Sequence, residues 1–433
     1  MLLVLTVSCG GMKSASLGGS GDITEHDDTI ADDFRAGAPY VLDMEQRKIV
    51  DRQNEFGMRL YQSVLRQQAA MGRTDDNVVV SPLSMSMNLE MLTNGAVGET
   101  RNSVLRTLGI DPDSVSQEEI NKFNRTLYRR LLTVEPESDI AVANSMWFNT
   151  GADINPAFTR TCREYYYASS HICDLSTVAT MNEINGWISK QTRGLIPSLL
   201  ETPLDPAAIF TLINTVYFNS SWNRPFDKNL TKERDFHNMS GDVVKVDMMD
   251  SGEVSPSEYY DEEKSCFTMV GYGFSKGVFE MQLILPDEGK TIEDCLDHLL
   301  KPEIYKNLCY FRTGGSPYEL FLPKFEIGFR YFYRNVLSGL GASGLFGGNS
   351  DLSLLSPDPS CHVSEIIQEV KVITSESEVK AAAVTMDIPI TSTDFEPPEP
   401  RRPIPLVFDR PFLFMIVERG SGAILFIGDV RTL

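Results

Sequence analysis

IFTLINTVYFNSSW, residues 209–222, is a long, mostly apolar stretch rich in β-branched and aromatic side chains. Such residues fit a pleated surface, and the near absence of polar alternation marks a strand covered on both faces. A strand of that kind needs a large sheet around it, with other elements packed above and below. Upstream, HICDLS (171–176) reads as a strand and MNEINGWISKQTRG (181–194) as a helix closed by Gly194. Downstream, residues 235–286 are strand-rich and end in FEMQLILPDEG.

The same pattern extends in both directions. Helical apolar spacing (Ile49, Phe56, Leu60, Val64, Leu65) runs through 49–67, and Asn77–Val80 reads as a short buried strand. Ser81-Pro82 then opens a helix, with serine as N-cap and proline in the first turn. Helices follow at 98–108 and 117–132, then a strand at 139–149 (DIAVANSMWFN) and a helix at 154–166. In the second half, ELFLPKFEIGF (319–329) reads as one strand, YFYRNVLSGLG (331–341) as a helix and HVSEIIQEVKVIT (362–374) as an alternating strand. FLFMIVERGSGAILFIGDV (412–430) is a hairpin turning at Gly420-Ser421-Gly422. No internal repeat and no linker beyond residue 45 interrupts the series, so 46–433 is expected to be a single α+β domain with large sheets.

Composition narrows the function classes. The 433 residues carry a formal net charge of −21, which argues against a general nucleic-acid binder, because phosphate contacts need clustered Lys and Arg. The five histidines stand far apart and form neither HExxH nor an evident nucleophile–base pair. No nucleophile elbow, phosphate loop or dinucleotide fingerprint is present. Neither an enzyme active site, a metal site nor a cofactor is expected.

The N-terminus reads separately. MLLVLTVSCGG is too short to span a bilayer and fits the apolar part of an export signal, with Cys9 placed like a bacterial lipoprotein processing cysteine. No basic residue precedes the run, and Thr6 stands where such sites usually carry Leu. The plain alternative is an N-terminus that is simply disordered or wrongly assigned. Residues 10–45, rich in Gly, Ser and Asp, would tether the domain to a membrane held only through lipid at Cys9. A cell-envelope or extracellular location follows. The remaining cysteines, at 162, 173, 266, 295, 309 and 361, contain no CxxC pair. Buried free thiols are the default, although an exported protein could pair some of them.

One stretch resists assignment. SEVKAAAVTMDIPITST, residues 377–393, follows the strand at 362–374 and precedes a run of prolines and acids. Its three alanines favour helix, whereas Val384, Thr385 and Ile388 favour strand.

Several segments, read in order, resemble the serpins, a family of large protease-inhibitor domains. NVVVSPLSMSMNLEMLTNGAVGETRNSVLRTLG (77–109) is similar to that family's early strand and paired helices. INGWISKQTRGLIPSLL (184–200) resembles the helix lying across its main sheet, and TLINTVYFNSSWNRPFDKNLTKERDFH (211–237) its central strand and following turn. LPKFEI (322–327), VSEIIQEV (363–370) and LVFDRPFLFMIV (406–417) come next in the right order. The resemblance implies three β-sheets, eight to nine helices and an exposed reactive-centre loop at about 376–405. It also implies an irreversible suicide inhibitor of serine proteases, elastase-like or subtilisin-like, with papain-like cysteine proteases as a second class. A protease attacks the loop and forms an acyl-enzyme, and the cut loop inserts into the main sheet. A non-inhibitory carrier or chaperone-like serpin is the alternative. A surface enzyme or ligand-binding lipoprotein is a third reading, disfavoured by the missing motifs.

The resemblance carries over residue by residue. Glu376 matches the hinge glutamate and Lys324 the lysine that pairs with it, while Trp222 matches a tryptophan packed where the loop begins to insert. Ser81, Ser84 and Asn214 match a polar cluster beneath the strands that must part, with Gln368 standing where histidine is usual. Taken singly, Trp222 would be a core tryptophan and Ser81 a helix cap. In the hinge, Glu378 replaces the usual glycine and Val379 the usual threonine, followed by Ala381, Ala382, Ala383 and Thr385. Alternation after insertion turns Val379, Ala381, Ala383 and Thr385 inward, all small enough to bury, and leaves Glu378 in solvent. Further on it turns Asp387 and Pro389 inward, so insertion stops earlier or that part of the site is wet. The usual family distance puts the bait bond at Ser392–Thr393, with Ile390, Thr391, Asp394 and Phe395 as alternatives in a lengthened loop.

Overall fold

The computed structural model describes residues 15–16, 42–135, 138–254, 259–261, 266–299, 318–376 and 403–433. Its first helix, α1 (Met44–Ala70), starts inside the stretch read as tether. Asp43 and Gln46 form a reciprocal capping box there, which fixes the start. Helices α2 (Pro82–Leu92), α3 (Gly98–Thr107), α4 (Gln117–Thr133), α5 (Pro156–Tyr166) and α6 (Val178–Gln191) follow in the first half. The short α7 (Ile292–Leu299) and α8 (Arg334–Leu340) complete eight helices among the described residues.

The largest sheet carries the site. From one edge it runs β1 (Ala15–Ser16), β4 (Ser169–Cys173), β3 (Asp139–Asn149), β5 (Phe210–Asn219), β13 (Val363–Thr374) and β12 (Phe325–Phe332). β1 belongs to the stretch read as tether and pairs at Ala15–Ile172 and Ser16–His171. A second sheet orders β2 (Val79–Val80), β16 (Ile424–Val430), β15 (Phe412–Glu418), β10 (Phe279–Pro286), β9 (Phe267–Gly273) and β8 (Tyr259–Asp261). A third has β14 (Ile404–Val407), β11 (Tyr318–Pro323), β7 (Val243–Val254) and β6 (Lys232–His237). Three sheets with eight described helices make the α+β architecture expected from the sequence.

β5 is buried at every position but its last, as its apolar sequence requires. One face meets the main core, shared with α1, α2 and the second sheet. Its other face meets a smaller apolar cluster, where Ile184 and Ile188 of α6 pack on Trp147 of β3, Ile213 of β5 and Ile367 of β13. The joint between β5 and β13 is therefore covered on both sides.

Two expectations need correction. The apolar run 319–329 is two strands in two different sheets, β11 and β12, broken at Lys324. The Lys324 N–H still donates to Asp247 of β7 at 2.9 Å, and the chain passes into β12 from there. Ser81 occupies the N-cap position of α2 but makes no capping bond; its hydroxyl donates to the Leu425 carbonyl at 2.7 Å.

Candidate functional site

The joint between β5 and β13 is parallel, running from Val363–Phe210 to Val372–Phe218. The outer partners of both strands, β3 and β12, pair with them antiparallel. In the middle of the sheet, Asn144, Asn214 and Gln368 lie in register on adjacent strands. Each is buried, and each is an interruption in an otherwise apolar row. Gln368 Nε2 donates across the joint to Asn214 Oδ1 at 2.8 Å. Asn214 Nδ2 donates to Ser84 Oγ (2.6 Å) and Asn144 Oδ1 (2.8 Å). Gln368 Oε1 accepts from the Ser81 N–H and the Tyr333 hydroxyl, both at 3.1 Å. One amide thus fastens β13 to both β5 and α2. Glutamine performs this without a titratable ring, using its donor and acceptor together.

A second group of contacts closes the top of the joint, where β13 ends. Glu376 Oε1 receives Lys324 Nζ at 2.7 Å and the Thr231 hydroxyl at 2.8 Å. Lys324 also reaches Asp247 Oδ2 at 3.3 Å. Burial alone would raise the Glu376 carboxyl, but hydrogen bonds from Lys324, the backbone and Thr231 outweigh it and hold the group below its ordinary value. Lys324 is correspondingly raised, chiefly by its bond to Glu376. Beside this clasp, the buried Trp222 indole donates to the Ser375 carbonyl at 2.7 Å and stacks on Phe274.

The structure therefore brings Lys324 to Glu376, Trp222 to the residue before Glu376, Ser81 and Asn214 to Gln368, and Ser84 to Asn214. The remaining hinge residues Glu378, Val379, Ala381, Ala382, Ala383 and Thr385 lie outside the described residues. So do Cys9 and the bait positions Ile390, Thr391, Ser392, Thr393, Asp394 and Phe395. Sequence reading missed Thr231, Asp247, Asn144 and Tyr333, which close both groups. Asn144 had one visible signal, a lone amide in an apolar strand; the others carry none. The chain returns after this stretch at β14, whose four residues pair parallel with β11.

Comparison with known proteins agrees with this geometry. The family profile described as Serpin (serine protease inhibitor) matches residues 51–433, and the chain belongs to the serpin family. It is 31% identical over 378 residues to the plasma serine protease inhibitor of Homo sapiens, covering 87% of this chain and 88% of that protein. Serpin-ZX of Arabidopsis thaliana is 28% identical over 398 residues, covering 89% and 99%. Among solved structures, the thermophilic serpin tengpin in its native state superposes with a TM-score of 0.75 at 26% identity, covering 92% of this chain and 98% of that one. Human thyroxine-binding globulin complexed with thyroxine does so with a TM-score of 0.76 at 25% identity, covering 89% and 99%. Members of this family are in general protease inhibitors rather than enzymes.

Proposed function

We propose that this serpin is a suicide inhibitor of serine proteases, of elastase-like or subtilisin-like preference, with papain-like cysteine proteases as a second target class. The observation that carries the reading is the parallel joint β5–β13, flanked on both sides by antiparallel pairs, with the chain leaving β13 at Glu376. A strand that reverses after Glu376 and enters the joint runs antiparallel to both neighbours. One parallel ladder is exchanged for two antiparallel ones, which are more stable per residue. A reversal at residues 375–378 sets Val379 opposite Thr374 and Thr385 opposite Gln368. The Thr385 hydroxyl then takes the place of the Asn214 amide as the partner of Gln368. Val379, Ala381, Ala383 and Thr385 share the face of Thr374, Val372, Val370 and Gln368, which is buried in the present sheet.

Cleavage at Ser392–Thr393 leaves the protease esterified to the inserting segment. At ~3.3 Å per residue, about fifteen residues would carry it roughly 50 Å down the sheet. Distortion of its active site there preserves the ester. Until the loop is cut, the Lys324–Glu376 clasp and the Gln368–Asn214 bridge oppose opening, so the starting fold persists kinetically. Residues 1–9 and the tether 10–45 support a lipid-anchored position on a bacterial cell envelope through Cys9.

A second reading, a serpin that carries a ligand instead of trapping proteases, draws on Glu378, Asp387 and Pro389 and on the likeness to thyroxine-binding globulin. Denaturing gels after incubation with neutrophil elastase, subtilisin and trypsin separate the two. A band at the summed mass that resists boiling supports inhibition. Loop cleavage with no such band and no gain in heat stability selects the carrier.

A further inference from the structure

We propose that Cys266 and Cys295 are a built thiol pair that closes to a disulfide in an oxidising compartment, stapling α7 to the start of β9. Cys266 immediately precedes β9, and Cys295 lies in the middle of α7. The Cys266 thiol donates to the carbonyl of Asp294 at 3.4 Å, and the Cys295 thiol donates to the carbonyl of Cys266 at 3.4 Å. The Cys295 sulfur therefore sits against the Cys266 backbone, and the Cys266 sulfur against the carbonyl of the residue before Cys295.

The frame around the pair is fixed. Thr291 and Asp294 cap the first turn of α7 reciprocally, at 3.0 and 3.1 Å. Ile292, Leu296 and Leu299 are buried, and Phe267 meets the His298 ring edge-on with centroids 5.7 Å apart. The Cys266 carbonyl accepts from the Asp287 N–H at 2.9 Å, which holds the turn before α7. Within this frame, closure is expected through side-chain rotation.

Cys295 is fully buried and Cys266 is partly exposed, so the order of events is set. The Cys266 thiolate attacks an external disulfide such as oxidised glutathione and releases one glutathione thiol. Cys295 then attacks the Cys266 sulfur and releases the second. Two cysteine thiols and one disulfide become one protein disulfide and two small thiols, and both protons end on the released thiols. Burial raises both cysteines above their ordinary pKa, which makes closure slow and suits a lasting staple better than a fast sensor. The pair lies outside the large sheet and is independent of the inhibitory reading.

The test uses the full chain incubated with oxidised glutathione at pH 8. In the full chain produced without lipid at Cys9, two of the seven cysteines should lose reactivity in the denatured protein, leaving five free thiols. Non-reducing peptide mapping should join the peptides containing residues 266 and 295. The crosslink spans 29 positions, and the oxidised chain should melt about 4 °C higher at a fixed scan rate. Cys266→Ser and Cys295→Ser should each abolish the link and the shift, whereas Cys309→Ser should keep both. Seven free thiols after prolonged oxidation, or a link through any other cysteine, would overturn the proposal.

Discussion

β5 has two long edges that behave differently. Toward β3 it pairs antiparallel from Asp139–Asn219 to Phe148–Phe210, and toward β13 it pairs parallel over nearly the same length. Both edges carry an amide bridge at the same level, Asn214 to Asn144 on one side and Gln368 to Asn214 on the other. The parallel edge differs in what lies beyond it. Its bridge is tied to α2 through Ser81 and to β12's end through Tyr333, and its top is shut by the clasp at Glu376. Side-chain bonds cross both edges, and the parallel edge, with the weaker ladder, is in addition clasped at its top by the contacts of Glu376 and Trp222. On the proposed mechanism the joint holds and then opens, and removable side-chain bonds suit that better than a stronger backbone ladder.

The largest expected effect breaks that comparison outright. Val379→Arg would carry an unpaired charge into the parallel edge. The boiling-resistant protease complex should vanish while loop cleavage continues; undiminished complex formation would sink the insertion mechanism.

Glu90→Gln tests the fold away from both edges. Glu90 is wholly buried on α2, where it receives Asn124 Nδ2 at 2.5 Å and Gln53 Nε2 at 3.2 Å. Burial pushes its carboxyl up to about 7 against those bonds, from an ordinary 4.5. Because the unfolded chain ionises first, stability falls as pH rises from 4.5 to about 7 and stays reduced above. The glutamine variant should be more stable at pH 8 by roughly 3 kcal/mol, with no gain at pH 4. Urea midpoints at the two pH values measure this, and the rate at which a peptide of residues 379–385 anneals into the sheet should not change.

Gln368→Leu should cost roughly 2 kcal/mol, since it leaves Asn214 Oδ1 and the Ser81 N–H without a partner. It should also speed annealing of that peptide. Asn144→Ala, on the antiparallel edge, should lose similar stability without the acceleration; equal acceleration in both variants would erase the distinction between the edges.

The smallest effect concerns the clasp. Glu376→Ala should lower stability by about 1 kcal/mol near neutral pH, after discounting for the part-exposed Lys324. Because the Glu376 carboxyl sits below its ordinary value, the clasp contributes above the normal carboxylate range. That contribution fades as pH falls through the lowered value. The raised Lys324 sets the other limit, in alkali beyond its usual 10.5. Annealing rates of wild type and variant should therefore converge in acid.

Much of this was legible in the sequence. The apolar run at 209–222 announced a strand covered on both faces, and the contact of Glu376 with Lys324 and the place of Gln368 followed from the family register. The break at Lys324 was hidden because YELFLPKFEIGF keeps its apolar alternation on both sides, although the two halves enter different sheets. Thr231 and Asp247 reach Glu376 from other parts of the chain, which no local pattern reports. Ser81 misled for a related reason: its position suits a cap, yet a carbonyl from β16 claims its hydroxyl.

The apolar cluster under α6 has an optical consequence. The chain has three tryptophans: Trp147 and Trp187 belong to that cluster, and Trp222 stands at the top of the same joint. A new strand between β5 and β13 would separate Ile213 from Ile367 by a further ~4.8 Å and force α6 to reseat. All the indole fluorescence of the molecule thus originates beside the joint of β5 and β13. Emission from the unlabelled protein should change in two phases as a strand is taken up, first at Trp222 and then beneath α6.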